Sequence, residues 1–566
     1  MSHVARAVCE QDRRGISPQE RRWTLVFAAV IMLFTTFPYL LGYQLEDDSR
    51  VFTGFVFGVE DGNSYIAKML CGWAGDWLFR TPYTAFPQSG LLMFLPYLLL
   101  GKLAAPPGMH HQLTAIYHLY RFVAGMLALM ASYEFLSYFI RHLWLRRFGW
   151  LLIGVGGGLG WLLLLMGKQS WLGSLPLEFY SPEAFGFLML YGLPHLAMAR
   201  ACLLWALLAY LRLAEDQLEP ATEPAPTGFP GWKKAFNLSL LWTLTGFFQP
   251  LTMVVIGFLI LLHYVGLAVW FGWFHRRSFD RRAYLKLGGW VLLAGILPGL
   301  FSSYNVFIAS FDPYAKAWTA QNVIRSPHLY HYLLAYGLLI PFAWVGGRSL
   351  LSRDGWRALL VIGWVITLPL LAYSPLNLQR RLLDGVWVAW CTLAVAGFDR
   401  AGKPEEGFSH RAQIWRSAPL WLAFPSTFLL LVGGLQAARS SGLPVFRSSD
   451  EVRVFLILAD IAPRGEVVLA AYETGNALPA WAPIRVLIGH GPESIGLAGI
   501  APEVAAFFQD HTSDQQRMAL LERYQVRYVF WGPAERSLGG WNPENAFYLS
   551  PVMRQGDFAL FKVLLP

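Results

Sequence analysis

Charge is scarce in this chain. Asp, Glu, Lys and Arg make up 14% of its 566 residues, against about a quarter in soluble domains. That shortfall argues against a wholly water-soluble protein and makes lipid the main solvent. Cysteine is scarcer still, with only Cys9, Cys71, Cys202 and Cys391. They are widely separated, with no CxxC and no Cys/His cluster, so neither a zinc site nor a disulfide framework is supported. From about Ser440 onward the sequence also has no phosphate-binding glycine loop, no GxSxG elbow and no metal-ligand spacing. Its net charge of +9 calls for no nucleic-acid partner, because Lys and Arg gather in short loops, as the retention of positive charge in the cytoplasm produces.

What is abundant is apolar: 55% of residues are hydrophobic and 16% aromatic. Runs long enough to cross roughly 30 Å of hydrocarbon recur along most of the chain. The first, Trp23 to Tyr43, is too long for a cleavable signal peptide and lacks a small-residue cleavage site, so it reads as a retained first span. Arg6, Arg13, Arg14, Arg21 and Arg22 precede it and place residues 1–22 in the cytoplasm as a basic tail. Residues 44–90 then form a long, mostly polar outer loop.

Further apolar segments lie near 113–140, 149–166, 185–213, 236–249, 251–273, 285–308, 330–347, 358–373, 379–398 and 417–437. With the first they make about eleven crossings, and 91–104 reads as a re-entrant helix or as one of a pair, for about eleven to thirteen spans and an odd number. Basic clusters at Arg141/Arg146/Arg147, Lys233/Lys234, Arg276 to Arg282, Arg348/Arg353/Arg357 and Arg400 to Arg416 mark the cytoplasmic turns. Residues 214–236, rich in Pro, Ala and Glu, read as a flexible linker.

From about Ser440 the texture changes. Runs at Val467–Ala471, Arg485–Ile488, Tyr528–Trp531 and Phe558–Val563 read as strands, alternating with helical stretches at 501–509 and 513–524. The fold class is therefore mainly α: a polytopic transmembrane helical bundle over 23–437, then a small extracytoplasmic α/β domain over 440–566. Gly489-His490-Gly491 and Glu473-Thr474-Gly475-Asn476 are turn-like and could line a site, with ordinary loops the first reading.

Polar groups in or beside spans are costly and mark candidate sites. Most gather at the outer end: Glu46, Asp47, Asp48, Glu60, Asp61 and Asp76 in the first loop, then Glu178, Glu183, Asp312, Lys316, Arg325, His328, Arg380 and Arg381. His195 and Arg200 lie deeper, within a span. Arg200 either points into a cavity of the bundle or makes a structural ion pair, with Glu134 the candidate partner. Carboxylates on one side and cations on others suit an anionic substrate. A carboxylate can take a proton or hold a metal, and guanidinium groups can hold a leaving phosphate.

The first outer loop carries a resemblance. Glu60-Asp61-Gly62-Asn63-Ser64-Tyr65-Ile66-Ala67-Lys68-Met69, followed by Pro96-Tyr97 with Gly101 and by Tyr120-Arg121, resembles the GT-C superfamily of membrane glycosyltransferases. Protein O-mannosyltransferases and aminoarabinose transferases carry an Asp-Glu pair with a Tyr a few residues later; the order here is Glu-Asp. The layout also resembles glycosyltransferase-like membrane proteins of bacteria, and covers roughly residues 20 to 437.

The resemblance implies an inverting transfer of a sugar from a polyprenyl-phosphate donor to an acceptor hydroxyl. It would take place on the extracytoplasmic face of a bacterial plasma membrane, the acceptor being a lipid, glycan or protein. Asp61 would be the general base or a metal carboxylate, with Glu60 the second candidate. Arg380 and Arg381 would hold the donor phosphate, with Arg200, His195, Tyr65 and Arg121 as further substrate contacts. A divalent metal, Mg or Mn, is the cofactor it allows. A transporter or flippase for a lipid-linked anion, and a non-catalytic membrane scaffold, are the rival readings.

Overall fold

The computed structural model describes residues 16–219, 231–275, 280–399 and 417–564. Arg6, Arg13, Arg14 and Cys9, residues 220–230 of the linker, part of the Arg276 to Arg282 cluster and the cluster from Arg400 to Arg416 lie outside the described residues. The chain divides into two compact units. One comprises Met1–Thr35, Tyr120–Asn305 and Ile324–Val432, and the other Thr36–Leu119, Val306–Val323 and Gly433–Pro566.

Among the described residues, seven helices are long and apolar enough to cross a membrane: Pro18–Gln44, Met109–Phe139, Pro194–Leu218, Pro250–Phe274, Arg281–Phe311, Ile340–Ala372 and Ala418–Arg439. The protein is thus a polytopic helical membrane protein. Several of the expected crossings are shorter or interrupted. Residues 149–166 form Leu143–Val155 and Trp161–Leu165, separated by Gly156, Gly157 and Gly158, while 379–398 supplies only Val386–Ala396. Within Ile340–Ala372, Gly355 adopts φ +60° and ends the helix that starts at Ile340, a conformation glycine takes at little cost.

The helical unit is packed around large side chains. Trp150, Trp364 and Trp387 are fully buried. The Trp150 indole donates to the Leu129 carbonyl at 2.8 Å and the Trp387 indole to that of Leu152 at 3.0 Å. These bonds satisfy polar atoms that would otherwise be costly in a dry interior.

The second unit is built on a five-stranded mixed sheet with strand order β4-β3-β5-β7-β6. The strands are β3 (Val467–Leu469), β4 (Arg485–Val486), β5 (Val526–Trp531), β6 (Leu549–Gln555) and β7 (Phe558–Val563). β3 runs parallel to β4 and β5, and β7 runs antiparallel to β5 and β6. Helices Leu497–Phe507 and Asp514–Arg523 contribute Val504, Phe507, Leu520 and Leu521 to the same core as Leu469, Val529 and Phe561.

The first outer loop belongs to this unit and is far from featureless. Its β1 (Arg50–Phe52) pairs antiparallel with β2 (Phe446–Ser448), and residues Val59–Trp73 form a helix. The apolar segment at 91–104 supplies the seven-residue helix Leu95–Gly101, about 10 Å long at 1.5 Å per residue and too short to span a bilayer. It packs against Val59–Trp73 by direct backbone approach. A Cβ on Gly101 would fall 1.7 Å from the Met69 carbonyl oxygen, and one on Gly72 2.0 Å from that of Leu98.

Candidate functional site

Glu60 and Asp61 occupy the first turn of helix Val59–Trp73, where the helix dipole favours negative charge. The rest of the first three turns is largely buried, including Gly62, Asn63, Ser64, Ile66, Ala67 and Lys68. The helix therefore turns a polar face inward, and the C-terminal region meets it with matching polar groups. Asn63 donates to the Asn476 side-chain oxygen at 2.8 Å and Ser64 to Glu493 Oε1 at 2.8 Å. The Lys68 Nζ lies 2.5 Å from Glu493 Oε1, with the two side chains only 1% and 3% exposed. Thr81 donates to the other Glu493 oxygen at 2.5 Å.

A buried carboxylate is stable as an ion only when paired and hydrogen-bonded, and Glu493 is both. Burial works to raise its pKa, but the Lys68 ammonium, then His490 and the hydrogen bonds from Lys68 and Thr81, outweigh burial. Together they hold Glu493 below the ordinary carboxylate range.

The two acidic residues of the pair have different environments. Glu60 is engaged, accepting from the Gly491 N–H at 3.2 Å and from the Tyr472 hydroxyl. Burial, together with that bond to Glu60, pushes the Tyr472 phenol up, so it remains a donor. Asp61 is the open member: its side chain is 60% exposed, and its Oδ1 lies 3.2 Å from His490 Nε2. The imidazole's other nitrogen, Nδ1, lies 3.3 Å from Glu493 Oε1. Tyr65 joins an aromatic stack instead, its ring 4.8 Å from that of Tyr97 and 5.9 Å from that of Tyr117.

The remaining expected site residues lie in the helical unit. Arg380 and Arg381 sit on a short 3₁₀ turn, Gln379–Leu383. The Arg380 guanidinium lies over the Tyr180 ring at 4.4 Å, and the Arg381 Nε is 3.9 Å from Glu183 Oε1. The Nε atoms of both arginines are buried without a hydrogen-bond partner. His195 and Arg200 fall in the first two turns of helix Pro194–Leu218.

Arg200 is 1% exposed. It donates to Asp384 Oδ1 at 2.7 Å and to the carbonyls of Phe185, Pro182 and Glu183. Its ion-pair partner is thus Asp384, while Glu134 accepts from the Trp205 indole. Arg121 is also buried and donates to the Thr35 hydroxyl at 2.8 Å and to the Leu190 carbonyl.

Among the described residues no three His, Cys, Asp or Glu side chains are grouped to hold a metal ion. The surroundings of Asp61 explain this: Glu60 is engaged by Tyr472 and Gly491, and Glu493 by Lys68. The carboxylates beside Asp61 are thus held by protein groups. His490, Glu493, Lys68 and Tyr472 are the groups that reasoning from sequence did not single out for the site. The turn Gly489-His490-Gly491 was the one signal for them.

No family model matches the chain, and no curated protein matches it by sequence. Solved structures do match in fold. An oligosaccharyltransferase from Archaeoglobus fulgidus superposes with a TM-score of 0.57 over 95% of this chain and 74% of its own, at 12% identity. The arabinofuranosyltransferase AftD from Mycobacteria gives 0.56 over 98% of this chain, at 13% identity. The chain has the GT-C fold. It spans 42% of the AftD chain. A second structure of the archaeal enzyme, AglB in complex with an inhibitory peptide and a dolichol-phosphate, matches at 14% identity with a TM-score of 0.50, over 91% of this chain and 70% of that one. At these identities the likeness is one of fold.

Proposed function

We propose that the protein is a membrane glycosyltransferase that moves a sugar from a polyprenyl-phosphate donor to an acceptor hydroxyl on the extracytoplasmic face, with inversion at the anomeric carbon. The observation that carries this reading is Asp61: an exposed carboxylate at a helix N-terminus, in the loop after the first span of a GT-C fold. A base must reach the proton it removes, and an exposed carboxylate backed by a rigid buried network meets that need. In the reaction the acceptor O–H bond breaks and its proton passes to Asp61. The acceptor oxygen bonds to the anomeric carbon, and the carbon–oxygen bond to the lipid phosphate breaks, the electron pair leaving with the phosphate.

Arg380 and Arg381 are offered as ligands of that phosphate. Their guanidinium groups suit it by charge and geometry, and each has a buried Nε without a hydrogen-bond partner. Arg200 and Arg121, engaged with protein groups, would support such a site from within the bundle. The protein works on this reading in a bacterial plasma membrane, with its C-terminal region outside.

The test is release of radiolabelled sugar from a panel of polyprenyl-phosphate donors by the purified protein and by Asp61→Asn, with a crude cell-envelope acceptor. Release by the wild type and loss in the variant supports the reading. No release from any donor by folded protein would turn attention to lipid flipping in liposomes.

A further inference from the structure

The buried network behind helix Val59–Trp73 does not end at a salt bridge. It runs from Lys68 to Glu493, from Glu493 to His490, and from His490 to Asp61. His490 is 7% exposed, whereas the carboxylate it reaches is open to solvent. The geometry points to His490 as a positioning residue supplied by the C-terminal region: its Nε2, 3.2 Å from Asp61 Oδ1, sets the orientation of the carboxylate that takes the acceptor proton.

Three observations carry this. First, the contact joins residues 429 positions apart, so it forms only when the loop after β4 docks on the helix. Second, the imidazole is itself held in place. Glu493 lies 3.3 Å from Nδ1, the Tyr83 ring lies 5.5 Å from the imidazole ring, and the Ser494 hydroxyl accepts from the His490 and Gly489 N–H groups. Third, Glu493 is fixed in turn by Lys68, Ser64 and Thr81. An exposed carboxylate on its own samples many rotamers. One in contact with a buried, packed ring is confined, and orientation is a large part of catalytic rate.

The inference rests on the glycosyltransferase reading, so its test has one arm that needs turnover and one that does not. In the turnover arm, His490→Phe should lower kcat about 10²-fold, the loss expected when a reacting group is misplaced by about 1 Å, with donor KM within about twofold. His490→Gln, which restores an N–H donor at similar reach, should recover at least about tenfold of that loss. A purely structural role would show as lost folded protein in both variants without that rescue. A kcat for His490→Phe within about threefold of wild type overturns the proposal.

The second arm reads carbodiimide labelling of Asp61 by mass spectrometry, with Glu60 as internal reference. His490→Phe should raise the Asp61:Glu60 labelling ratio at least about threefold, because the carboxylate loses the ring nitrogen that contacts its Oδ1. An unchanged ratio overturns the proposal. An inactive wild type with the raised ratio would overturn the glycosyltransferase reading while leaving His490 as the group that orients Asp61.

Discussion

Two buried ion pairs, Arg200 with Asp384 in the helical unit and Lys68 with Glu493 in the sheet-bearing unit, are equally hidden from solvent yet differ in how they end. Around Arg200 every guanidinium nitrogen has a protein partner, and the second Asp384 oxygen accepts from Thr252 at 2.6 Å. That network is closed: it ties the turn at 182–185 to helix Pro194–Leu218 and has no open end. The Lys68 network continues through His490 to a carboxylate that is 60% exposed. A buried charge with every partner in place is evidence of architecture. On the proposed reading, the network that reaches an exposed acid is the one that takes part in the chemistry.

The sharpest way to break this comparison is to remove one charge from each network. Arg200→Met leaves Asp384 buried and unpaired, which costs about 3–5 kcal/mol. The protein should then fail to accumulate or lose most of its thermal stability in detergent. Asp61→Asn should do the reverse, with transfer falling about 10²- to 10⁴-fold, the range for a lost general base, and the melting temperature unchanged within about 2 °C. If both variants lose stability alike, the distinction between the two networks fails.

A smaller effect is expected at the close crossing of helices Val59–Trp73 and Leu95–Gly101. Gly101→Ala places a methyl where the Met69 carbonyl already lies, an overpacking that costs about 1–3 kcal/mol. It should lower the melting temperature and also reduce transfer, since Met69 is on the helix that carries Asp61.

The smallest effect is the acid dependence of Glu493. Its folded pKa is held below the ordinary value of 4.5, so its charge stabilises the fold above that value. The contribution is lost as pH falls from 4.5 through the folded value. A melting-temperature profile should drop in that acid window for the wild type and drop less for Glu493→Gln. Parallel profiles would show that Lys68 does not depend on the Glu493 charge.

Much of the C-terminal sheet was legible because β3, β4, β5 and β7 are runs of β-branched and aromatic residues. Strand β6 was not: Leu549-Ser550-Pro551-Val552-Met553-Arg554-Gln555 contains a proline and is largely exposed, as an edge strand permits. The helix at 59–73 was hidden for a related reason. Its inward face includes Asn63, Ser64 and Lys68, so its apolar pattern is broken by polar residues whose partners are supplied by residues 476 and 493. The acidic pair was legible from local sequence. His490 and Glu493 were not, because their value lies in contacts spanning more than 400 residues, which no local spacing records. The same holds for Arg200: its depth in an apolar segment announced a partner, but Asp384, 184 positions away, emerged only from the packing.

The measurement that tests the central claim most directly is sugar release from a polyprenyl-phosphate donor by wild type and Asp61→Asn, with melting temperatures recorded on the same two preparations. Release by the wild type, its loss in the variant and equal melting temperatures are expected if Asp61 is the base. Full release by a folded Asp61→Asn protein would contradict it.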